Sequence, residues 1–268
     1  MPIWDCRRGS ISNPSCFKPN APELLERELA APGYEPRTIA IGTNTDPYQP
    51  IERQHQIMRG LLEVLERVGH PVGIVTKSAM VTRDIDILTR LAKRNLVKVA
   101  MSVTTLDPKL ARTMEPRAAT PARRLEALRQ LSAAGIPTTV MVAPVIPAIN
   151  DAEIERILDA AAFAGTRDAG YVLLRLPLEV RDLFREWLLA HYPDRFRHVF
   201  KLIRDMRGGK DYDSAWGTRM KGTGPYAYLI GRRFEIACEK YGLNLAKTRL
   251  STEHFEKPKK QDAQLSLF

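Results

Sequence analysis

The sequence predicts an α/β fold in which short buried strands alternate with amphipathic helices. Residues 38–41 (TIAI) form an apolar run rich in β-branched residues, and a polar loop and then a helical pattern follow it directly. The same strand–loop–helix unit recurs until about Pro177, at a spacing of roughly 25 to 40 residues. This alternation is typical of a parallel sheet whose strands are joined by helical crossovers.

The individual elements follow from periodicity and from capping signals. A first helix is predicted over residues 22–30, a strand over 38–44 and a single helix over 51–68. Further strands are predicted at residues 71–78, 97–105, 137–147 and 170–177, and further helices at 85–94, 121–134 and 151–164. A long loop is expected over residues 107–120. Thr120 and Gly135 are expected to cap the helix at 121–134, and Asn150 or Asp151 the next one.

Five strand–helix repeats are too few for a closed eight-fold barrel, so an open partial barrel or a doubly wound sheet is expected. The pattern changes after Pro177. Helices are predicted at residues 180–191, 196–207 and 226–241, with a glycine-containing polar loop over 208–225. From Lys247 onward the chain is polar and irregular, which predicts a mobile tail.

Composition and charge limit the class of protein. Hydrophobic residues make up 44% and charged residues 27% of the 268, which is typical of a globular protein. No apolar run approaches the roughly 20 residues of a membrane-spanning helix, and no signal-peptide pattern is present, so a cytoplasmic location is expected. The net charge of +10 favours a polyanionic partner such as nucleic acid, or a phosphate-bearing substrate. The alternative is a basic surface without a specific anionic partner.

Polar side chains lie directly after the predicted strands. In parallel sheets, ligands bind at these carboxyl ends of the strands. They are Thr45, Asp46, Thr76, Lys77, Ser78, Ser102, Thr104, Thr105, Asn150 and Arg175. The alternative for residues 44–47 is a simple turn with a helix cap. Histidines do not pair with Cys or Asp at metal-site or catalytic-triad spacing, and residues 221–224 (KGTG) lack the spacing of a phosphate-binding P-loop.

Lys77 is the most informative of these residues, because a lysine at the end of a buried strand is costly without an anionic partner. That partner would be a protein carboxylate or a ligand carboxylate or phosphate. The alternatives are an ammonium group that reaches water, and a Schiff-base nucleophile. Glu115 and Arg117, in the predicted loop, offer either an arginine fork for a carboxylate or a plain salt bridge.

Several collinear segments resemble the bacterial radical S-adenosylmethionine proteins related to spore photoproduct lyase. The segments are GTNTDPYQPIE, PVGIVTKSA, SVTTLDPKLARTMEPRAATPARRLEAL, MVAPVIPAIND, GYVLLRLPLEV and TRMKGTGPY, within residues 17–244. The resemblance implies a partial (β/α)6 TIM-like barrel, S-adenosylmethionine across the strand ends, a [4Fe–4S] cluster held by three cysteines, and a 5′-deoxyadenosyl radical that abstracts hydrogen from a substrate. By barrel position, it implies that the cofactor lies against Thr45, Asp46, Lys77, Ser78, Ser102, Glu115 and Arg117.

The sequence departs from this family at the cluster. The family carries Cys-x3-Cys-x2-Cys after its first strand, whereas this chain has only Cys6, Cys16 and Cys238, at other spacings. The resemblance implies a barrel over residues 17–178 that lacks its first strand, preceded by an irregular segment at 1–16 and followed by a helical extension at 179–246 and a flexible tail at 247–268. We therefore expect a truncated and inactive form without cluster ligands.

The tail ends in an apolar pentapeptide, Gln264, Leu265, Ser266, Leu267 and Phe268. An apolar cluster on a polar stretch predicts a peptide that docks into a pocket of a partner, the alternative being that it folds back on its own chain. The pentapeptide resembles the one by which bacterial replication and repair proteins bind the DNA sliding clamp.

Three functions are consistent with the sequence. The first is a radical S-adenosylmethionine enzyme that acts on nucleic acid or a nucleotide, as a repair lyase does. The second is a clamp-tethered nucleic-acid-binding protein without catalysis. The third is a Schiff-base lyase that uses Lys77.

Overall fold

The computed structural model describes residues 18–246 and 248–258. The predictions for residues 1–16, which include Cys6 and Cys16, lie outside the described residues. So does the prediction for the pentapeptide Gln264–Phe268.

Five parallel strands form one sheet in sequential order. They are β1 (Ile39–Ile41), β2 (Val72–Thr76), β3 (Val97–Ser102), β4 (Thr138–Val145) and β5 (Asp168–Leu173). Each strand lies beside its neighbour in the chain, and the strand order never reverses, as it would in a doubly wound sheet. In the part of the chain that the structure describes, β1 and β5 form the two edges, so the sheet is open. The predicted α/β class and the open partial barrel are confirmed.

Ten α-helices accompany the strands in the described residues. They are α1 (Ala21–Leu29), α2 (Glu52–His55), α3 (Ile57–Arg67), α4 (Ile85–Lys93), α5 (Pro108–Met114), α6 (Pro121–Ala133), α7 (Ile154–Phe163), α8 (Val180–His191), α9 (Phe196–Asp205) and α10 (Gly224–Lys240). Short 3-10 helices lie at Ala79–Asp84, Asp151–Glu153 and Pro193–Arg195.

The prediction of a single helix over residues 51–68 is wrong. Two helices, α2 and α3, form instead, and they are separated at Gln56. Gln56 has a left-handed backbone with φ of 48°. The break places the Glu52 carboxylate over the start of α3, where both of its oxygens accept a hydrogen bond from Met58 N at 3.1 Å. A side-chain cap of this kind satisfies backbone donors that a new helix leaves unpaired.

Two further local predictions were wrong. The loop expected over residues 107–120 contains α5, which Asp107 begins by accepting a hydrogen bond from Lys109 N at 2.8 Å. Neither Asn150 nor Asp151 caps the following helix. The Asn150 side chain joins the chain after β4 to the end of β3, and the Asp151 carboxylate accepts from the Tyr226 hydroxyl at 2.5 Å. The predicted cap at Thr120 is confirmed, since its hydroxyl accepts from Arg123 N.

One face of the sheet is buried under α3, α4, α6 and α7. Alternate residues of the central strands are fully buried there, among them Ile74, Val99 and Val140. The residues that alternate with them, such as Val75, Ala100 and Met141, are only partly buried. The sheet therefore has one packed face and one accessible face, as expected when all crossovers run on the same side.

The C-terminal extension packs at the carboxyl end of the strands. α8 and α9 share a second apolar cluster with α5 and with residues that follow β4 and β5. It includes Leu110 of α5, Ile146 after β4, Leu174 after β5 and Phe200 of α9. The extension is thus fixed to the edge where the polar strand-end residues lie.

Residues 248–258, here termed the C-terminal segment, pack against the opposite end of the sheet. Ser251 N donates to Asn95 O and Glu256 N donates to Val68 O, both at 2.9 Å, and these two acceptors precede β3 and β2. Phe255 contacts the rings of Tyr34 and His70. The sequence predicts a mobile tail from Lys247; residues 248–258 are irregular as predicted but are held by these contacts. No described helix is long and apolar enough to cross a membrane.

Candidate functional site

The carboxyl ends of β1 and β2 are joined by the Asp46 carboxylate. Its Oδ1 accepts from Tyr48 N at 2.9 Å and from Thr76 Oγ1 at 2.7 Å, and its Oδ2 accepts from Lys77 N at 2.7 Å. Asp46 therefore fixes the loop after β1 to the end of β2. Its two oxygens are both occupied by donors of the protein, so its role in this structure is to position the loop.

The Lys77 ammonium contacts the Glu115 carboxylate, which lies at the end of α5. The Lys77 side chain is 30% exposed and that of Glu115 only 3%. Glu115 also accepts from Thr104 Oγ1 at 3.1 Å and from Arg124 Nη2 at 2.7 Å. The anionic partner expected for Lys77 is thus a protein carboxylate, and the carboxylate is itself held by a second cation.

Burial tends to raise the pKa of Glu115, but the charges of Lys77 and Arg124 and their hydrogen bonds outweigh it and hold the pKa of this carboxyl below its ordinary value. Glu115 is therefore ionised at neutral pH. Glu115 is therefore one carboxylate between two cations, and Lys77 is the most exposed of the three side chains.

Arg124 is the central buried residue of the site, and it is not among the residues predicted from the sequence. Besides its contact with Glu115, its guanidinium donates to Ser102 O at 3.0 Å and to Ala119 O at 2.7 Å. One signal was available: Arg124 shares a helical face with the buried residues Leu128 and Leu131, where an arginine is costly unless it is paired.

The ends of β3 and β4 are joined by hydroxyl groups and by one amide. Ser102 Oγ donates to Ala143 O at 2.8 Å, and Thr104 Oγ1, whose single proton is shared between Glu115 and this carbonyl, lies 3.1 Å from it. Asn150 Nδ2 donates to Thr104 O at 2.7 Å, and Thr105 Oγ1 donates to Glu153 at 2.5 Å. Four of the predicted strand-end residues are therefore brought together, and they are bound to the protein itself.

The other three residues predicted to bind the cofactor lie nearer to solvent. Thr45 and Arg117 are exposed, and Ser78 is partly buried. The Ser78 hydroxyl accepts from Met80 N at 3.3 Å and so begins the 3-10 helix after β2. Of the predicted set, Thr45 and Arg117 are thus exposed, and Asp46, Lys77 and Ser78 are partly buried.

A second charged cluster supports the loop that carries Asp46. Arg83 bridges Glu52 and Asp84, with its Nη2 at 3.2 and 2.8 Å from their carboxylates, and Arg59 contacts Asp84 at 3.2 Å. Tyr48 lies beside this cluster and is almost fully buried. Burial and the negative charge of Asp84 raise the pKa of Tyr48 far above its ordinary value, so its hydroxyl stays neutral.

Arg175 follows β5 at the same edge. Its guanidinium lies over the Tyr212 ring and donates to the Tyr212 hydroxyl at 3.1 Å. Its Nε is buried and has no hydrogen-bond partner among the described residues. Tyr212 belongs to the loop between α9 and α10, so this contact closes that loop over the end of β5.

Residues 18–246 and 248–258 do not provide the ligands of an iron–sulfur cluster. The described residues contain no group of three or more His, Cys, Asp or Glu side chains that could hold a metal ion. Cys238 is buried in α10, and burial raises the pKa of its thiol to about 11, which disfavours the thiolate that binds iron. The other two cysteines, Cys6 and Cys16, lie outside the described residues, and the sequence contains no Cys-x3-Cys-x2-Cys.

The same edge does fit a small polar ligand with an anionic group. It carries one partly exposed ammonium, two hydroxyl groups and an exposed guanidinium, at Lys77, Ser78, Thr45 and Arg117. A carboxylate accepts well from such donors. S-adenosylmethionine, which ends in an amino-acid carboxylate, is a ligand of this class.

Comparison with known proteins agrees with the fold. The family model of the Radical SAM superfamily matches residues 6–161, more than half of the chain. An uncharacterized protein of Mycobacterium tuberculosis is 32% identical over 250 residues, which are 92% of this chain and 68% of that protein. An uncharacterized protein of Methanocaldococcus jannaschii is 25% identical over 182 residues, 68% of this chain and 65% of that one.

Among solved structures, spore photoproduct lyase is similar in fold. A mutant of that enzyme and its complex with a dinucleoside spore photoproduct each give a TM-score of 0.56 at 16% identity. Each match covers 78% of this chain and 61% of the lyase, so the chain spans less than two thirds of that enzyme. At this level of identity the likeness describes the fold.

Proposed function

This chain belongs to the radical SAM superfamily, and we propose that it binds S-adenosylmethionine at the carboxyl edge of its sheet and binds a nucleic acid or a nucleotide, the substrate class of an active form of the enzyme. One observation carries the proposal: the end of β2 presents a partly exposed ammonium, Lys77, whose position is fixed from behind by Glu115 and Arg124. A fixed cation at a strand end is suited to an anionic group of a ligand.

Within this proposal the seven predicted residues divide into two roles. Lys77, Ser78, Thr45 and Arg117 contact the cofactor, and Lys77 binds its carboxylate. Asp46, Ser102 and Glu115 hold the strand ends in place, because their oxygens are bound to protein donors or donate to a protein carbonyl.

Charge supports nucleic acid as the class of substrate. The chain has a net charge of +10, and a similar fold, spore photoproduct lyase, is known in complex with a dinucleoside spore photoproduct. A polyanion is attracted by such a charge over the range of a Debye length, roughly 8 to 10 Å in physiological salt.

We further propose that this chain, as its sequence stands, does not assemble a [4Fe–4S] cluster and has no radical activity. The support is its cysteine pattern, since Cys6, Cys16 and Cys238 do not form Cys-x3-Cys-x2-Cys.

Cofactor binding can be tested without a cluster by saturation-transfer NMR, which detects weak ligands. We expect S-adenosylmethionine to give signals with the wild-type chain and with Lys93→Met, a control at an exposed lysine near the other end of the sheet. Lys77→Met should weaken binding by roughly tenfold, the factor that a charge-assisted hydrogen bond of about 1.5 kcal/mol gives. Equal signals for the two variants, or none with the wild type, would count against the proposal.

A second candidate is a clamp-tethered nucleic-acid-binding protein without catalysis. The pentapeptide Gln264–Phe268 supports it by its composition and its place at the end of a polar stretch. Deleting Leu267 and Phe268 should abolish binding to an immobilised bacterial sliding clamp, whereas replacing Lys259 and Lys260 by alanine should leave it unchanged. A full chain that does not bind the clamp would exclude this function.

The third function, a Schiff-base lyase, requires a neutral amine at Lys77. Loss of the ammonium charge would leave the buried Glu115 with Arg124 alone, so the contact between Lys77 and Glu115 argues against this chemistry. Borohydride treatment with simple aldehydes is expected to give no covalent adduct at Lys77.

A further inference from the structure

A basic groove lies on the C-terminal extension, between α8 and α9. Its volume is about 550 Å³, and its floor is formed by Phe196 and Phe200. Its cationic side chains are those of Arg185, Arg197, Lys201 and Arg204. Asp205 is its one acidic lining residue among the residues that the structure describes. The groove, here termed the α8–α9 groove, thus combines an aromatic floor with a clear excess of positive charge.

The aromatic floor holds two guanidinium groups in place. Arg185 lies 5.8 Å from the ring centroids of both Phe196 and Phe200, and Arg204 lies 5.9 Å from that of Phe200. Stacking on an aromatic ring restricts a guanidinium to one plane while leaving its N–H groups available. Less conformational entropy is then lost when these groups bind an anion.

The positive charge of the groove is only partly neutralised. Lys201 pairs with Asp205 at 2.8 Å, and Arg204 pairs with Asp211 at 2.7 Å. Arg185 and Arg197 form no ion pair within residues 18–246 and 248–258. Two arginines of the groove therefore remain for an external anion.

The groove is attached to the same end of the sheet as the candidate site. Phe200 belongs to the apolar cluster that also contains Ile146 and Leu174, which follow β4 and β5. Arg195, just before α9, donates to Ala148 O at 2.9 Å in the loop after β4. The groove is therefore part of the extension that packs at the carboxyl end of the strands.

We propose that the α8–α9 groove binds the phosphate backbone of a single nucleic-acid strand outside the candidate site. The inference rests on the proposed function for its class of substrate and adds the surface that holds it. Arginine forks match phosphate oxygens in a bidentate way. The buried position of Phe200 and the polar rim make the groove unsuited to an apolar partner or to insertion into a lipid layer.

The test uses the full chain and a fluorescein-labelled single-stranded DNA of 16 nucleotides, a length of about one binding site, followed by anisotropy over a salt series. The groove variant is Arg185→Gln with Arg197→Gln, which removes the two exposed charges that form no ion pair among the described residues. The control is Lys93→Gln with Arg167→Gln, which removes two exposed charges from the other end of the sheet.

The slope of log K against log salt is negative, and each lost phosphate contact reduces its magnitude by about 0.7 for a single strand. The slope of the groove variant should therefore be smaller in magnitude by about 1.4 than that of the wild type. Its affinity at low salt should fall at least tenfold, and the control should keep the wild-type slope. If both variants lose the same affinity for DNA, or neither loses any, the proposal that the α8–α9 groove binds DNA would be refuted. Competition by polyglutamate as strong as that by unlabelled DNA would overturn recognition of phosphate.

The outcomes separate the groove from the proposed function. If the wild-type chain does not bind DNA even at low salt, both the nucleic-acid substrate and the proposed role of the groove would be refuted. If the wild type and the groove variant bind DNA equally well, only the proposed role of the groove would be refuted. Saturation transfer from S-adenosylmethionine, measured on the groove variant, should equal that of the wild type, since none of the substituted residues lies at the strand ends.

Discussion

Arg124 Nη2 donates to Glu115 Oε2 at 2.7 Å, and neither side chain is more than 3% exposed. This pair joins the start of α6 to the end of α5, and the same arginine donates to the last carbonyl of β3. Lys77 then extends the pair towards solvent from the end of β2. A single buried ion network therefore fixes three elements around one partly exposed ammonium.

Replacing Arg124 by methionine should destabilise the fold strongly. The change keeps much of the side-chain volume but leaves Glu115 buried with Lys77 alone, and removing one partner of a buried ion pair costs about 3–5 kcal/mol. Urea unfolding followed by circular dichroism measures the loss. Arg123→Met is the matched control, because Arg123 is its exposed neighbour and should change the free energy of unfolding by no more than about 0.5 kcal/mol. Similar losses in both variants would contradict the role of the buried pair.

Glu115 should contribute to the acid sensitivity of the protein. Its pKa in the folded chain is lower than in the unfolded chain, where a glutamate titrates near about 4.3. Its contribution to stability is therefore fully present above that pH and is lost as the pH falls towards the folded value. Glu115→Gln should be less stable than the wild type at pH 7, and the difference should shrink as the pH is lowered below about 4. The midpoints of urea unfolding of both proteins, measured across this pH range, test the prediction. A stability difference that does not change with pH would contradict it.

Gly69→Ala should release the C-terminal segment. Gly69 has a φ of 65°, and a Cβ there would lie 2.0 Å from His254 O. Gly135→Ala is a matched control, because Gly135 has a φ of 76° but a Cβ added there would meet no described atom within 4 Å. Both variants bear the strain of a left-handed alanine, but only Gly69→Ala collides with residues 248–258. Hydrogen exchange of the amides of Ser251 and Glu256 should accelerate in Gly69→Ala alone.

Anaerobic reconstitution with iron and sulfide should not yield a stoichiometric cluster on this chain. Three thiolates in Cys-x3-Cys-x2-Cys would be needed, and the sequence does not contain them. Iron and acid-labile sulfide analysis measures the outcome, with a superfamily member that carries the motif as the positive control. Four irons and four sulfides per chain, lost when Cys6 and Cys16 are replaced by serine, would show that another arrangement of cysteines holds a cluster.

The parts of the fold that depend on local pattern were predictable from the sequence. The apolar runs that became β2, β3 and β4 and the cap at Thr120 depend on residues close to one another in the chain. The break at Gln56 was not predictable in this way, because it depends on the Glu52 carboxylate turning back over the start of α3. The periodicity of residues 57–68 gives no sign of it.

The candidate site was predictable in place and less so in its connections. Parallel strands bring their carboxyl ends to one edge, so the positions of Asp46, Lys77 and Ser102 followed from the strand pattern. The partner of Lys77 lies 38 residues away, and that of Glu115 nine residues away on the apolar side of α6. Such pairings are set by the packing of helices on the sheet, which a single sequence does not display.

The C-terminal segment has a consequence for the order in which the protein folds. Lys257 Nζ donates to Pro32 O at 2.7 Å, a contact between residues 225 positions apart, and Phe255 completes a ring cluster with Tyr34 and His70. Contacts of such long range form late, because a large loop must close first. During synthesis the strands can pair from β1 to β5 as they leave the ribosome, but the amino end of the sheet is sealed only after residue 257 has emerged. Until then the rings of Tyr34 and His70 lack the cover of Phe255, and this end of the sheet exposes apolar surface.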